Sequence, residues 1–95
     1  MRQIKLVGRE LTVVRAIEHQ GSTGQALYER TNIEPQDLLD ILNALYELGY
    51  VEAYLEGQHL PHMEPVKMAD LNSARFEINP SYYLEIKKVL ILRRG

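Results

Sequence analysis

The residues of this chain that come closest to a chemical site are two histidines and a glutamate in one short stretch. His59 and His62 are separated by two residues, and Glu64 follows soon after. Imidazole nitrogens and carboxylate oxygens are ligands that suit zinc and related transition ions. A closed zinc site needs four ligands, however, and the sequence has neither a cysteine nor a fourth ligand at a fixed spacing. We therefore interpret the histidines as loop residues and predict no metal and no other cofactor.

Catalytic groups are also missing from the sequence. Ser22-Thr23-Gly24 carries hydroxyls, but it lacks the glycine and lysine spacing of a phosphate-binding loop and is better explained as a helix cap and turn. No nucleophile lies next to a base, and no pair of acids occurs in an obvious pocket-forming context. Without cysteine, a thiol nucleophile and disulfides are excluded. The sequence predicts a non-enzymatic protein with no catalytic residues.

The composition is that of an ordinary globular domain. The 95 residues suit one domain, 1–95, with 45% hydrophobic and 25% charged residues and a net charge of -2. The apolar run Val89–Leu92 is far too short to span a bilayer, and the N-terminus lacks the apolar core of a signal peptide. We expect a soluble cytoplasmic protein with no membrane segment.

The charges are distributed unevenly along the chain. Between Thr31 and Val66 there is no lysine or arginine. The acidic residues of this stretch are Glu34, Asp37, Asp40, Glu47, Glu52, Glu56 and Glu64. Because the cations lie on either side, a nucleic-acid partner would have to be held by residues outside the stretch.

Three helices are predicted in the first half of the chain, at 9–20, 24–31 and 34–48. Gln20-Gly21 ends the helical spacing of the first, and the hydroxyls of Ser22 and Thr23 can cap the second from a short turn or strand. Pro35 stands in the first turn of the third, where its missing N–H costs nothing. The apolar stripe of this third helix consists of Leu38, Ile41, Leu42, Leu45 and Leu48.

A β-hairpin is predicted in the segment 50–79. Tyr50–Leu55 and Arg75–Ile78 are rich in aromatic and β-branched residues in rough alternation, and the two runs can pair. The connection 56–74 is unusually long, and we interpret it as a mobile or partner-ordered loop.

The C-terminal segment is expected to be a helix over 80–92, with a strand as the alternative. Asn79-Pro80-Ser81 is typical of a helix start. Eight of the eleven residues from Tyr82 to Leu92 are apolar, and a helix on a small domain can bury only one stripe. We therefore predict a homodimer, with a broad intramolecular core face as the alternative. The predicted dimer interface is Tyr82, Tyr83, Ile86, Val89 and Leu90.

The order of elements resembles the winged helix-turn-helix domain of small bacterial and archaeal regulators. The likeness is carried by Ile33–Val51, in which Leu38, Leu42 and neighbouring apolar residues occupy the core positions of the recognition helix. Leu48-Gly49-Tyr50-Val51 matches the entry into the wing. The resemblance implies an α+β fold consisting of a three-helix core and a β-hairpin wing, here with an additional C-terminal helix.

The resemblance also implies that the third helix could lie in the major groove of DNA. The residues away from its apolar stripe are Glu34, Gln36, Leu39, Asp40 and Asn43. Gln36 and Asn43 suit adenine, but the family usually has neutral or cationic contacts where Glu34, Leu39 and Asp40 stand here. We therefore predict that this face binds a protein, with Leu39 as an exposed apolar anchor among acids. The plainer interpretation is a solvated helix face.

DNA binding remains the alternative function, in a protein that has the build of a transcription regulator. The cations for it would be Lys67 and Arg75 on the wing and Arg9 near the first helix. The same residues are equally well interpreted as scattered solubilising charges.

Overall fold

The protein has an α+β fold built from four helices and one antiparallel sheet of four strands over the residues that the structure describes. This computed structural model describes residues 6, 8–18, 21–60 and 64–92, with Leu92 as backbone only. The helices are α1 (Gly8–Ile17), α2 (Gly24–Thr31), α3 (Pro35–Glu47) and α4 (Tyr83–Leu92). The strands are β1 (Ser22–Thr23), β2 (Val51–Leu55), β3 (Gln58–His59) and β4 (Arg75–Ile78), and single 3₁₀ turns lie at Met68–Asp70 and Pro80–Tyr82.

Helix α1 lies close to its predicted position, and capping residues mark both ends of α2. The helix expected over 9–20 spans Gly8–Ile17, and positions 19 and 20 of that prediction lie outside the described residues. Thr23 caps α2, because its hydroxyl oxygen accepts a hydrogen bond from the Ala26 amide at 3.2 Å. Asn32 ends α2 in the left-handed conformation, which asparagine tolerates.

Helix α3 is the centre of the core. Of the predicted stripe, Leu38, Leu42 and Leu45 are fully buried and Ile41 is half-buried. Leu48 is exposed beyond the end of the helix, which corrects its place in the stripe. A second line of side chains, Leu39, Asn43 and Tyr46, follows at helical spacing, and its two hydrophobic members are also buried. The helix therefore buries two adjacent stripes, and Gly49, at a φ of +85°, turns the chain into β2.

The sheet has the strand order β1-β4-β2-β3. The pairing expected between β2 and β4 is present, with Val51 opposite Ile78 and Ala53 opposite Phe76. Ser22 and Thr23 form a short strand on the other side of β4. Val51, Ala53 and Phe76 point into the core, so one sheet face packs on the helices and the other carries charged residues.

In the connection between β2 and β4, the described residues 56–60 and 64–74 are structured, which corrects, for those residues, the interpretation of 56–74 as a mobile or partner-ordered loop. Its start forms β3, which pairs back onto β2 through a turn at Glu56 and Gly57. We name residues 64–74 the covering segment, because they lie against α2 and α3. The Gly24 amide donates to the Ala74 carbonyl at 3.0 Å. A Cβ on Gly24 would be 1.9 Å from the Leu71 carbonyl oxygen, so only glycine permits this contact.

The C-terminal segment is helical, preceded by a 3₁₀ turn in which the Asn79 side chain accepts from the Ser81 amide at 3.0 Å. Ile86 and Leu90 belong to the core of the chain itself, and the Arg15 guanidinium donates to the Leu90 carbonyl at 3.3 Å. These two residues were expected in a dimer interface, and their burial within one chain corrects that assignment. No described helix is long and apolar enough to cross a membrane.

Candidate interaction surface

The outward side of α3 carries one continuous line of exposed residues. We name this line the acidic face, and it consists of Gln36, Asp40, Ala44 and Glu47. Asp40 accepts a hydrogen bond from the side-chain nitrogen of Gln36 at 3.1 Å. Neither Asp40 nor Glu47 has a cationic partner among the described residues. Glu34 lies exposed at the N-terminal end, and Leu48, 56% exposed, lies at the other.

Glu47 stands where a negative charge is unfavourable for the helix. It is the last residue of α3, and the last turn contains no basic residue to offset it. Carboxylates at a helix C-terminus oppose the macrodipole and cost about 0.3–1 kcal/mol at exposed sites. Nothing in the packing of the chain requires an acid here, because the side chain is exposed.

The other side of the predicted partner-binding face is covered by the chain itself. Asn43 donates through its side-chain nitrogen to the Val66 carbonyl at 3.0 Å and accepts from the Val66 amide at 2.8 Å. Leu39, one helical turn earlier, is only 7% exposed and belongs to the core. The prediction of Leu39 as an exposed anchor is therefore wrong, because it overlooked a segment 25 residues or more away that packs on this side of α3.

Tyr46 extends the covered side toward the end of α3. Burial raises the pKa of its hydroxyl, and the nearby carboxylates of Glu52 and Glu64 raise it further. Because Glu64 belongs to the covering segment, this interaction places that segment beside Tyr46 as well as beside Asn43.

Two of the three cations predicted to contact DNA are paired with acids. The Arg9 guanidinium lies 3.0 Å from the Asp37 carboxylate and joins α1 to the start of α3. Arg75 lies 3.2 Å from Glu77 on the same strand. Lys67 is exposed on the covering segment and has no ion pair among the residues described. Among the described residues, no two of these three cations share an acidic partner.

Of the histidine motif, only His59 and Glu64 lie among the described residues. His59 pairs with Glu52 across the β2–β3 hairpin, and its ring centroid lies 5.1 Å from that of Tyr54. His62 lies outside the described residues. No group of three histidine, cysteine, aspartate or glutamate side chains that could hold a metal occurs in the described ranges.

A shallow pocket of about 370 Å³ lies where α2, the start of α3 and the covering segment meet. It is lined by Gln25, Tyr28, Glu29, Pro35, Leu71 and Asn72. The lining holds one carboxylate, that of Glu29, and no nucleophile with an adjacent base. No local pattern predicts this pocket, because it exists only when the covering segment docks.

The second unusual surface is the side of α4 that faces away from the core. We name it the basic face, and it consists of Tyr83, Leu84, Lys87, Lys88 and Ile91. Leu84 is 70% and Ile91 58% exposed, and the Lys87 ammonium lies 5.7 Å from the centre of the Tyr83 ring. Of the residues predicted for a dimer, Tyr83 is exposed and Tyr82 and Val89 are half-buried. The sequence does not single out Leu84 and Ile91 as the exposed pair, because α4 is apolar nearly all round and its pattern does not say which stripe the core takes.

Comparison with protein-family models, with curated proteins and with solved structures finds no match to this chain.

Proposed function

We propose that this chain is a non-enzymatic winged-helix module that acts by binding another protein through the acidic face of α3. The order α1-β1-α2-α3-β2-β4, with β4 between β1 and β2 in the sheet, supports the winged-helix fold. Among the described residues, no group of three histidine, cysteine, aspartate or glutamate side chains could hold a metal, and the pocket beside α2 has no nucleophile next to a base. In build, the module resembles a transcription regulator.

The observation that carries the proposal is which side of α3 is covered and which side is exposed. Its Leu39–Asn43 side is taken by the covering segment, and the remaining exposed line presents Asp40 and Glu47 without cationic partners. A recognition helix needs exposed groups that can approach base edges between phosphates. Here one side is blocked by the chain, and the open side carries the same charge as the phosphates.

The repulsion between the carboxylates of α3 and DNA phosphates can be estimated from Coulomb's law. A carboxylate held about 4 Å from a phosphate is repelled by about 1 kcal/mol even at the dielectric of water. The acids on α3 would thus offset much of the attraction that phosphate contacts normally supply. The same charges favour a basic protein surface, and Leu48 beside them favours one with apolar side chains.

DNA binding through the wing is the second candidate function. It is favoured by Lys67, which is exposed and has no ion pair among the described residues. It is weakened by Arg9 and Arg75, since each would have to leave a carboxylate partner before neutralising a phosphate. We therefore rank it below protein binding.

The test is a pair of titrations that set the two functions against each other. Isotope-labelled protein is titrated with an amphipathic helical peptide of lysine and leucine, and separately with mixed-sequence duplex DNA, at about 50 mM salt. We expect the peptide to shift the backbone amide signals of the acidic face and the duplex to leave them unchanged. Asp40→Asn combined with Glu47→Gln should weaken peptide binding about tenfold or more.

The matched control neutralises two exposed acids elsewhere, Glu29→Gln with Glu56→Gln, and should retain peptide binding. Peptide binding that is equal in both double variants would contradict the proposal. Micromolar duplex binding that falls steeply with salt would also overturn it. In that case, charge reversal of Lys67 and Arg75 assigns the contact to the wing if affinity is lost.

A further inference from the structure

The basic face of α4 is an apolar helix surface interrupted by two lysines. Leu84 and Ile91 are seven residues apart, so they lie on the same side of the helix about 10.5 Å apart. Lys87 and Lys88 stand between them, and both are exposed without an ion-pair partner in the described parts of the chain. An exposed apolar pair of this kind favours a partner, and the lysines restrict which partner it can be.

A second copy of α4 does not fit this surface. In an antiparallel pair of α4 helices that places Leu84 against Ile91, the two-fold axis passes between positions 87 and 88. Lys87 of each helix would then face Lys88 of the other, so four ammonium groups would meet at the centre of the contact. Like charges brought together at an interface are unfavourable, and the two-fold α4 dimer is therefore disfavoured.

The acidic face of α3 has the complementary arrangement. Asp40 and Glu47 are also seven residues apart on one side of a helix, and the small residue Ala44 lies between them. Aligned on their centres, the two helices would place Leu84 and Ile91 level with the two carboxylates. Displaced by about one turn from that alignment, they place Leu84 level with the small residue Ala44 and both lysines level with the Glu47 carboxylate, within reach of their flexible stems. Leu48, next to Glu47, then extends the contact toward Ile91.

We propose that the basic face of α4 docks on the acidic face of α3 in a second copy of this chain. This inference rests on the proposed function, because it names a partner for the acidic face. The contact joins two different surfaces, so each copy can use its basic face in one contact and its acidic face in another. Two copies can close by making the contact twice, and otherwise the contact extends into a longer assembly.

The first experiment measures mass by sedimentation over about 10 µM to 1 mM protein, at low and at high salt. We expect a mass above the 11.0 kDa of one chain that rises with concentration and falls with salt. Two charge-reversal variants, Lys87→Glu with Lys88→Glu and Asp40→Lys with Glu47→Lys, should each remain monomeric. All four substituted residues are exposed, so the fold should be retained.

The decisive step is to mix the two variants. The first retains a native α3 face and the second retains a native α4 face, and their reversed faces are also complementary to each other. We therefore expect association to be restored in the mixture, with a dissociation constant at least tenfold lower than that of either variant alone. A variant that had failed to fold could not restore it.

A charge-matched control separates this contact from general attraction. Glu29→Lys with Glu56→Lys carries the same net charge as the α3 variant but alters exposed acids off the acidic face. Mixed with the α4 variant, it can make only the native contact, between its own α4 face and the native α3 face of that variant, because the reversed α4 has no basic α3 face to bind. Their association should therefore be weaker than that of the two complementary variants, and equal association would show that net charge alone brings the chains together.

A wild-type chain that is monomeric throughout overturns the inference, as does a mixture that does not associate. The peptide titration described above is independent of both results. Peptide binding to the acidic face in a strictly monomeric chain would mean that the surface takes a different basic protein, and the proposed function would stand.

Discussion

Tyr46 links three parts of the molecule that are distant in sequence. It is a buried residue of α3, and its hydroxyl responds to Glu52 on β2 and to Glu64 at the start of the covering segment. Burial and both carboxylates disfavour the phenolate, so the pKa in the folded protein lies above the unfolded value of 10.0. Ionisation of Tyr46 would therefore place a phenolate beside a carboxylate of β2 and a carboxylate of the covering segment.

The shifted pKa of Tyr46 predicts a loss of stability in alkali. The tyrosine loses its proton more readily in the unfolded chain, so its contribution is fully present below about pH 10 and is lost as the pH rises through the folded-state pKa. Denaturant unfolding between about pH 8 and pH 11.5 should show a decline in the free energy of unfolding that is shallower in Tyr46→Phe. Tyr28→Phe, at an exposed position, is the control and should decline as the wild type does. Equal declines in all three proteins would refute the assignment.

At the scale of elements, the covering segment decides which side of α3 is available. It is held by the two Asn43–Val66 hydrogen bonds, by burial of Val66 and Leu71, and by the Ala74 carbonyl at the start of α2. These anchors lie at three positions of the segment, Val66, Leu71 and Ala74. Loss of one should therefore loosen the segment without unfolding the helices.

Asn43→Ala tests this attachment. The substitution removes both hydrogen bonds to Val66, so the backbone amide and carbonyl of Val66 lose their partners. We expect the free energy of unfolding to fall by about 1–3 kcal/mol. Hydrogen exchange at the Val66 amide should accelerate, and that at the α3 amides near Leu42 should change less. Gln36→Ala, at an exposed position of the same helix, should change stability by less than about 0.5 kcal/mol. If Val66 exchanges at the same rate in wild type and Asn43→Ala, the side chain does not hold the segment.

Much of the element order could be predicted because its signals are local. The i, i+3, i+4 spacing from Leu38 onward and Pro35 at the helix start define α3, and alternation defines β2 and β4. The covering segment has no such signal, because it is held by backbone groups and single buried side chains such as Leu71. Leu39, which the sequence predicted to be exposed, is buried because the covering segment packs on that side of α3. The same limit applies to α4, where only the packing of Ile86 and Leu90 shows which stripe faces out.

At the scale of the whole molecule, a net charge of -2 conceals two separated surfaces of opposite sign. Asp40 and Glu47 on α3 have no cationic partner among the described residues, and Lys87 and Lys88 lie on α4. Arg9 and Arg75, by contrast, pair with neighbouring acids. Composition alone suggests weak electrostatics, but the arrangement favours oriented association. Such an arrangement should carry a cost in stability wherever it places a charge unfavourably for the fold.

Glu47→Gln tests whether that cost is present. Removing a negative charge from the last turn of α3 should raise the free energy of unfolding by about 0.3–1 kcal/mol. Glu85→Gln is the matched control of opposite sign, because Glu85 lies in the first turn of α4, where a carboxylate is favourable. Unfolding is measured at several dilute concentrations, since association would raise the apparent stability. Glu47→Gln should at the same time weaken peptide binding and self-association. A variant that loses stability and binding together would instead identify Glu47 as a residue that the fold requires.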